Sequence, residues 1–287
     1  MKHALTIDVE DYFQVAAFST NIAPHEWDKY RCRVEANTHR FMEITDQHDV
    51  RATFFFLGWV AERFPNLVRE VAAAGHEVGS HGYSHQLIYE QSHERFREET
   101  YRSKALLEEQ IQKPVEGYRA ASYSITQKSL WALDTIADAG FEYDSSIYPI
   151  RHDNYGLQGG PHEPYRIDLD NNRSIIEFPI TTTAVAGLNI PVGGGGYFRI
   201  FPYSLTQVLL RKRQKEVDAP FVFYLHPWEL DPDQPRVQGA SLKSKFRHYV
   251  NLEHVASRLD KLLSEFEFGP MGESLKQCQQ LQSYRYG

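Results

Sequence analysis

The feature that most constrains the fold is a recurring unit: a short apolar run closed by a polar residue, then an amphipathic stretch. Residues 4–8 read as a buried strand, and residues 34–48 set Val34, Thr38, Phe41, Ile44 and Thr45 at helical spacing. Residues 52–57 form a continuous apolar run ended by Gly58, as expected of a strand buried on both faces. Residues 65–75 carry proline near the start and glycine just past the end, the asymmetry of a helix. A third short strand follows at 77–80, then a helix over 92–111 with Phe96, Thr100, Ser103, Leu107 and Ile111 on one stripe. Strands are predicted to end near Arg119 and to span 141–144, 174–178 and 221–225. Between them Thr126 is placed to cap a helix carrying Leu130, Leu133 and Ala137, with Gly140 as its stop. Further helices are expected over 203–215 and through Leu252, Val255, Leu259, Leu262 and Phe266. Residues 150–172 and the four glycines at 193–196 read as loops.

Strand and helix alternate about seven times, which argues for parallel strands joined by right-handed crossovers. A barrel fits better than an open sheet, because polar residues recur at strand C-terminal ends, where barrel sites assemble. With no internal repeat and no linker-like tract, one domain over 1–287 is the simplest organisation.

Composition closes off other classes. Hydrophobic residues make up 41% of the 287, enough for a sizeable core. The net charge of -7 and the absence of a basic stripe argue against nucleic acid as a partner. Arg211-Lys212-Arg213-Gln214-Lys215 reads as a solvated helix face. Cys32 and Cys278 lie far apart with no CxxC spacing, which argues against a cysteine zinc site and a disulfide framework. No run is apolar enough to span a bilayer, and Met1-Lys2-His3 leads directly into a strand, so a cytoplasmic location is expected.

Two stretches carry the chemistry. Thr6-Ile7-Asp8-Val9-Glu10-Asp11 ends an apolar run in three carboxylates, and Gly79-Ser80-His81-Gly82-Tyr83-Ser84-His85 sets two imidazoles at i and i+4. Together they make a plausible hydrolytic metal site. Arg119, Asp144 and His226 recur at later strand ends, a series that independent accidents explain poorly.

At these residues the chain resembles the NodB-type polysaccharide deacetylases of carbohydrate esterase family 4, and within them the branch found beside exopolysaccharide gene clusters. The resemblance implies a distorted (β/α)7 barrel with a family-specific C-terminal extension from about residue 230. It implies removal of N-acetyl groups from amino sugars of a polysaccharide or its precursor, assisted by one divalent metal ion. Zinc is expected, with cobalt or nickel as alternatives that a two-His, one-carboxylate site accepts. Asp8 matches the catalytic base, His81 and His85 two metal ligands, Arg119 the arginine that holds the base, and His226 the general acid. The ligand position is displaced by Val9, so Glu10 or Asp11 takes it, with Glu10 favoured by analogy to Asp-x-Asp members. Arg119-Ala120-Ala121-Ser122 lacks the family's proline, and a backbone N–H near Ala121–Ser122 is expected to face the oxyanion. Asp144-Ser145-Ser146-Ile147-Tyr148 keeps only the start of the fourth motif, leaving Asp144 or Glu177 to orient His226. Residues 191–199 resemble a segment of the exopolysaccharide branch. Ser122, Tyr123, Tyr197 and Trp228 lie nearest the motifs and are expected to line a glycan groove. Two other readings stand beside this one: a glycan-binding pseudoenzyme, and an allantoinase-like hydrolase of cyclic amides, which the intact His81 and His85 disfavour.

Overall fold

Alternation of apolar residues at period two decides which side chains face the inside of the sheet. The structure, a computed structural model, describes residues 1–150 and 155–286, so residues 151–154 of the loop expected over 150–172 lie outside it. The strands are β1 (His3–Val9), β2 (Thr53–Phe56), β3 (Glu77–Ser80), β4 (Gly117–Tyr118), β5 (Tyr143–Asp144), β6 (Tyr165–Asp168), β7 (Ser174–Glu177), β8 (Thr182–Val185), β9 (Leu188–Pro191), β10 (Val222–Leu225), β11 (Phe268–Gly269) and β12 (Gln282–Tyr284). The helices are α1 (Val34–Gln47), α2 (Gly58–Arg63), α3 (Pro65–Ala73), α4 (His93–Ile111), α5 (Ala132–Asp138), α6 (Gly195–Ile200), α7 (Tyr203–Glu216), α8 (Leu242–Tyr249), α9 (Val255–Glu265) and α10 (Met271–Leu275).

The strand order is β10-β1-β2-β3-β4-β5-β7-β6-β12, with β11 against the start of β1. From β10 to β7 every pairing is parallel, so seven strands point their C-terminal ends the same way. This is the arrangement of a seven-stranded barrel, although the ladder does not close. β6 runs antiparallel to β7 within the stretch expected to be loop. That strand escapes the sequence because Tyr165-Arg166-Ile167-Asp168 alternates over only four residues. The hairpin of β8 and β9, and helices α2, α8 and α10, were likewise not expected from the pattern.

Ala4, Phe55, Tyr143, Val222 and Tyr224 pack into one buried cluster, while Leu5, Ile7, Val9, Phe54, Phe56, Phe223 and Leu225 belong to another. The first fills the barrel and the second lies between its outer wall and the helices. Phe54, Phe55 and Phe56 are all fully buried, each contributing about 1.5–3 kcal/mol. Gly79 is needed for this packing: a Cβ there would sit 2.5 Å from Phe55 Cδ1.

The seam between β7 and β10 is bridged by other means. Thr181 Oγ1 accepts from the Val222 N–H (2.8 Å) and donates to the Val222 carbonyl (2.7 Å). The Tyr224 N–H donates to the Gly193 carbonyl at 2.7 Å. Gly194 approaches so closely, with φ of 118°, that a Cβ would fall 2.0 Å from the Tyr224 carbonyl oxygen. The glycine run is therefore a packed bridge to β10, and α6 starts within it. Among the described residues no helix is long and apolar enough to cross a membrane.

Thr181→Val keeps the shape but strands the buried Val222 N–H. Urea unfolding is expected to show a loss of about 1–3 kcal/mol, and an unchanged midpoint would refute the bridging role.

Candidate functional site

Asp8 lies in register with Phe55, so it faces the barrel interior, Val9 faces outward, and Glu10 returns to the inner side. His81 follows Gly79 by two and His226 follows Tyr224 by two, on the same alternation. Parallel strands and a common parity thus bring residues far apart in sequence to one rim.

Glu10, His81 and His85 form a buried cluster whose candidate ligand atoms all lie within 4.8 Å of one another. Glu10 Oε2 is 2.6 Å from His85 Nε2, yet neither Glu10 Oε2 nor His85 Nδ1 has a hydrogen-bond partner among the described residues. His81 Nδ1 donates to the Arg119 carbonyl at 2.9 Å, which leaves Nε2 free to ligate. Burial pushes the His81 pKa down to about 4, so at neutral pH it is the uncharged imidazole that binds metals. Burial pushes Glu10 up, but His85, with His226 and His81 behind it, outweighs this and lowers it to about 2. An ionised carboxylate with an orphaned buried oxygen, beside two imidazoles, fits a divalent cation.

Asp8 is held by the fully buried Arg119. Arg119 Nη1 donates to Asp8 Oδ1 and to Thr6 Oγ1, each at 2.7 Å, while Nε and Nη2 donate to the Ser145 carbonyl (3.1 Å) and Oγ (2.9 Å). Its guanidinium carbon stands 4.3 Å from the centre of the Phe55 ring. The other Asp8 oxygen, Oδ2, is 3.5 Å from the Tyr123 hydroxyl and 4.0 Å from His226 Nε2. Ser122 and Tyr123 both adopt left-handed backbone, with φ of 51° and 54°. Two such non-glycine residues in succession store strain, about 1–3 kcal/mol each.

His226 is 18% exposed, enough to meet a ligand. Its Nδ1 lies 2.8 Å from Glu229 Oε1, and Glu229 Oε2 accepts from Arg199 Nε at 2.6 Å. Burial pulls the His226 pKa down, but the Glu229 hydrogen bond and the charges of Glu10, Glu229 and Asp8 raise it overall. Glu229 would be raised by burial, and Arg199 and His226 lower it instead. Neither Glu229 nor Arg199 was expected as a site residue. The signal for Glu229 is its spacing: three residues after His226 in a turn opened by Pro227, it also accepts from the His226 N–H at 3.0 Å.

Several expected residues stand elsewhere. Asp11 has the opposite parity to Glu10, and its carboxylate accepts from the backbone N–H groups of Arg33 (2.6 Å), Val34 (2.9 Å) and Tyr12 (2.9 Å), tying the chain to the start of α1. Burial pushes its pKa up to about 6 despite those three donors. Asp144 and Glu177 do not orient His226. They pair in register with each other, one residue out of phase with the inward Tyr143, and so face the outer side. There Asp144 Oδ1 accepts from Ser146 Oγ (2.5 Å) and Glu177 Oε1 from the Ile147 N–H (2.9 Å). Burial raises both pKa values, Asp144 to about 6 and Glu177, facing Asp144, well above its usual range.

Trp228 is buried, its ring stacked on His226 (centroids 5.1 Å) and His248 (4.1 Å), so it offers no open face to a sugar. Its indole N–H donates to Glu10 Oε1 at 3.1 Å, so it holds the carboxylate instead. Tyr123 packs on Tyr148 and Tyr224, and Tyr148 stacks on Tyr155, an aromatic wall beside Asp8. Tyr197 lies in α6, next to Phe201 and in hydrogen-bond contact with Tyr155. Ser122 is half-buried in the strained loop.

Residues 26–143 match the family described as polysaccharide deacetylase, and residues 145–276 match a domain of unknown function, DUF3473. The chain is 38% identical over 81 residues to a peptidoglycan-N-acetylglucosamine deacetylase of Bacillus cereus, 28% of each protein, and 44% identical over 48 residues to a chitooligosaccharide deacetylase of Rhizobium leguminosarum bv. trifolii, 17% of this chain and 22% of that one. It therefore spans only about a quarter of these relatives. In overall fold it is similar to a Mycobacterium smegmatis protein described as a candidate polysaccharide deacetylase (TM-score 0.61, 18% identity, covering 100% of this chain and 95% of that one). It is also similar to Puue allantoinase (TM-score 0.58, 15% identity, 95% and 88%). The rim described above draws on both matched regions, with His81, His85 and Arg119 in the first and His226 and Glu229 in the second. The chain thus carries a polysaccharide deacetylase domain of the NodB type, carbohydrate esterase family 4, over residues 26–143, followed by a DUF3473 region over residues 145–276.

Proposed function

We propose that the protein is a metal-dependent hydrolase that removes N-acetyl groups from amino sugars of a polysaccharide or its precursor, in exopolysaccharide biosynthesis. The observation that carries this reading is the buried Glu10–His81–His85 cluster, with Asp8 and His226 beside it, their side-chain atoms 4.0 Å apart. An acyl transfer to water needs a base, an acid and charge stabilisation within reach of one carbonyl, and this rim offers each.

In this reading Glu10, His81 and His85 hold one divalent ion, zinc by preference, which polarises the acetyl carbonyl and acidifies water when bound. Asp8 takes the proton from the attacking water through Oδ2, since Oδ1 is held by Arg119. Arg119 positions the base through its 2.7 Å hydrogen bond to Oδ1. His226 Nε2 delivers a proton to the departing sugar nitrogen, and Glu229 keeps that imidazole charged and oriented through Nδ1. A backbone N–H near Ala121–Ser122 faces the oxyanion, and the tyrosines around Tyr123 and Tyr197 border the sugar. We take residues 1–287 as one domain with an extension from about 230, because β10 pairs directly with β1.

Three measurements test this. Acetate release from N-acetylglucosamine oligomers is expected, abolished by chelator and restored by divalent metal. His226→Ala should end turnover without loss of bound metal, whereas no release from any acetylated glycan under any metal sinks the proposal.

Glu10→Gln should lower metal content at near-native stability. Asp11→Asn should keep the metal and lose about 1–2 kcal/mol in urea unfolding, as a lost helix-start acceptor does. The reverse pattern would place Asp11 in the metal site.

Glu229→Gln removes a charge that holds the His226 proton while burial still disfavours it, so the His226 pKa falls. The alkaline limb of the pH–kcat profile should move to lower pH, and kcat at neutral pH should drop by about 10-fold or more. An unmoved limb would remove Glu229 from this role.

A further inference from the structure

Helix α8 combines features that the reaction does not use. Leu242 is 86% exposed and Phe246 60% exposed, whereas His248 is buried. At 100° per residue Leu242 and Phe246 lie 40° apart, and Phe246 points about 200° away from His248. Two large apolar side chains therefore project straight away from the protein body.

Charge surrounds them. Between Asp233 and Glu253 the chain has no acidic residue and four permanent cations, Arg236, Lys243, Lys245 and Arg247, in a protein of net charge -7. The helix packs on residues Ala16–Phe18, which add no carboxylate. The patch is thus locally cationic against an anionic whole.

The helix is also firmly seated. Arg199 Nη1 donates to the carbonyls of Arg247 (2.8 Å) and His248 (2.7 Å), while Arg199 Nε holds Glu229. His248 stacks on Trp228, which stacks on His226. Whatever α8 touches is therefore in fixed relation to the His226 side of the rim.

We propose that α8 docks on an anionic lipid bilayer, with Leu242 and Phe246 in the interface and Lys243, Lys245, Arg247 and Arg236 at the headgroup phosphates. An exposed apolar pair flanked by lysine and arginine is the composition of a surface-lying helix, and its two attractions are apolar burial and the negative surface potential. Protruding single side chains suit a fluid acceptor that needs no matching pockets. This docking does not depend on which reaction the rim performs.

The experiment is co-sedimentation of the whole protein with phosphatidylcholine vesicles, with and without phosphatidylglycerol. Binding is expected only when phosphatidylglycerol is present, and it should weaken as salt is raised. The double variants Leu242→Ser with Phe246→Ser, and Lys243→Gln with Lys245→Gln, change three exposed positions and the half-buried Lys245. Each should keep the thermal transition and lower vesicle affinity by about tenfold or more. Failure of the wild type to bind, or equal binding by both variants, overturns the proposal. So does a lipid-free dimer, seen by sedimentation equilibrium, that the Leu242/Phe246 variant dissociates, because a second copy would then cover the face.

Discussion

Everything at the rim leans on the buried pair between Arg119 and Asp8. Both are withdrawn from solvent, a costly placement for two charges unless each nitrogen of the guanidinium finds an acceptor. The guanidinium meets that demand by reaching three strands or their ends: Thr6 and Asp8 on β1, its own position after β4, and Ser145 after β5. Removing one partner of such a pair typically costs about 3–5 kcal/mol. The same contacts that hold Asp8 in place therefore also fix how β1 and β5 sit across the barrel. Structure and site are coupled at this point, since the carboxylate cannot shift without disturbing the strands.

Much of this was legible in the sequence. The apolar runs located the principal parallel strands, and β3 falls on the predicted residues. The series of polar strand ends identified Asp8, His81, Arg119 and His226 as neighbours before any fold was known. What the reading did not use was parity. Asp8 and Glu10 are two apart and share the inner face, whereas Asp11 is odd and turns to the start of α1. The same rule separates Asp144 and Glu177 from His226, because both are one step out of phase with the inward Tyr143 and Ile176. Standing at a strand end is thus not enough, and the side of the strand decides. Trp228 and Glu229 were obscured for a different reason. They follow the last barrel strand in a one-turn helix, where no periodic pattern announces direction, and only tertiary packing brings the indole onto Glu10.

The region after residue 145 contributes more than a cover for the barrel. It supplies β10, the bridge made by Thr181 and Gly193, the imidazole at position 226 and the glutamate and arginine behind it. In most of these contacts a residue of this region meets one from the first third of the chain or another of its own. The rim is consequently a joint product: the Glu10–His81–His85 cluster comes from the N-terminal part of the chain, and the candidate proton donor from the C-terminal part.

The Asp144–Glu177 pair gives the fold an internal proton as one of its structural parts. Two carboxyls in register, both fully buried, hold their acidic form far more readily than they would in an unfolded chain. Their folded pKa values are raised, so the stabilisation is complete below their ordinary values near 4 and is lost as pH climbs through about 6 and beyond. Alkali thus loosens this barrel from the outer face of its wall, at the strand ends where β5 meets β7, by removing a proton that the folded chain had held there.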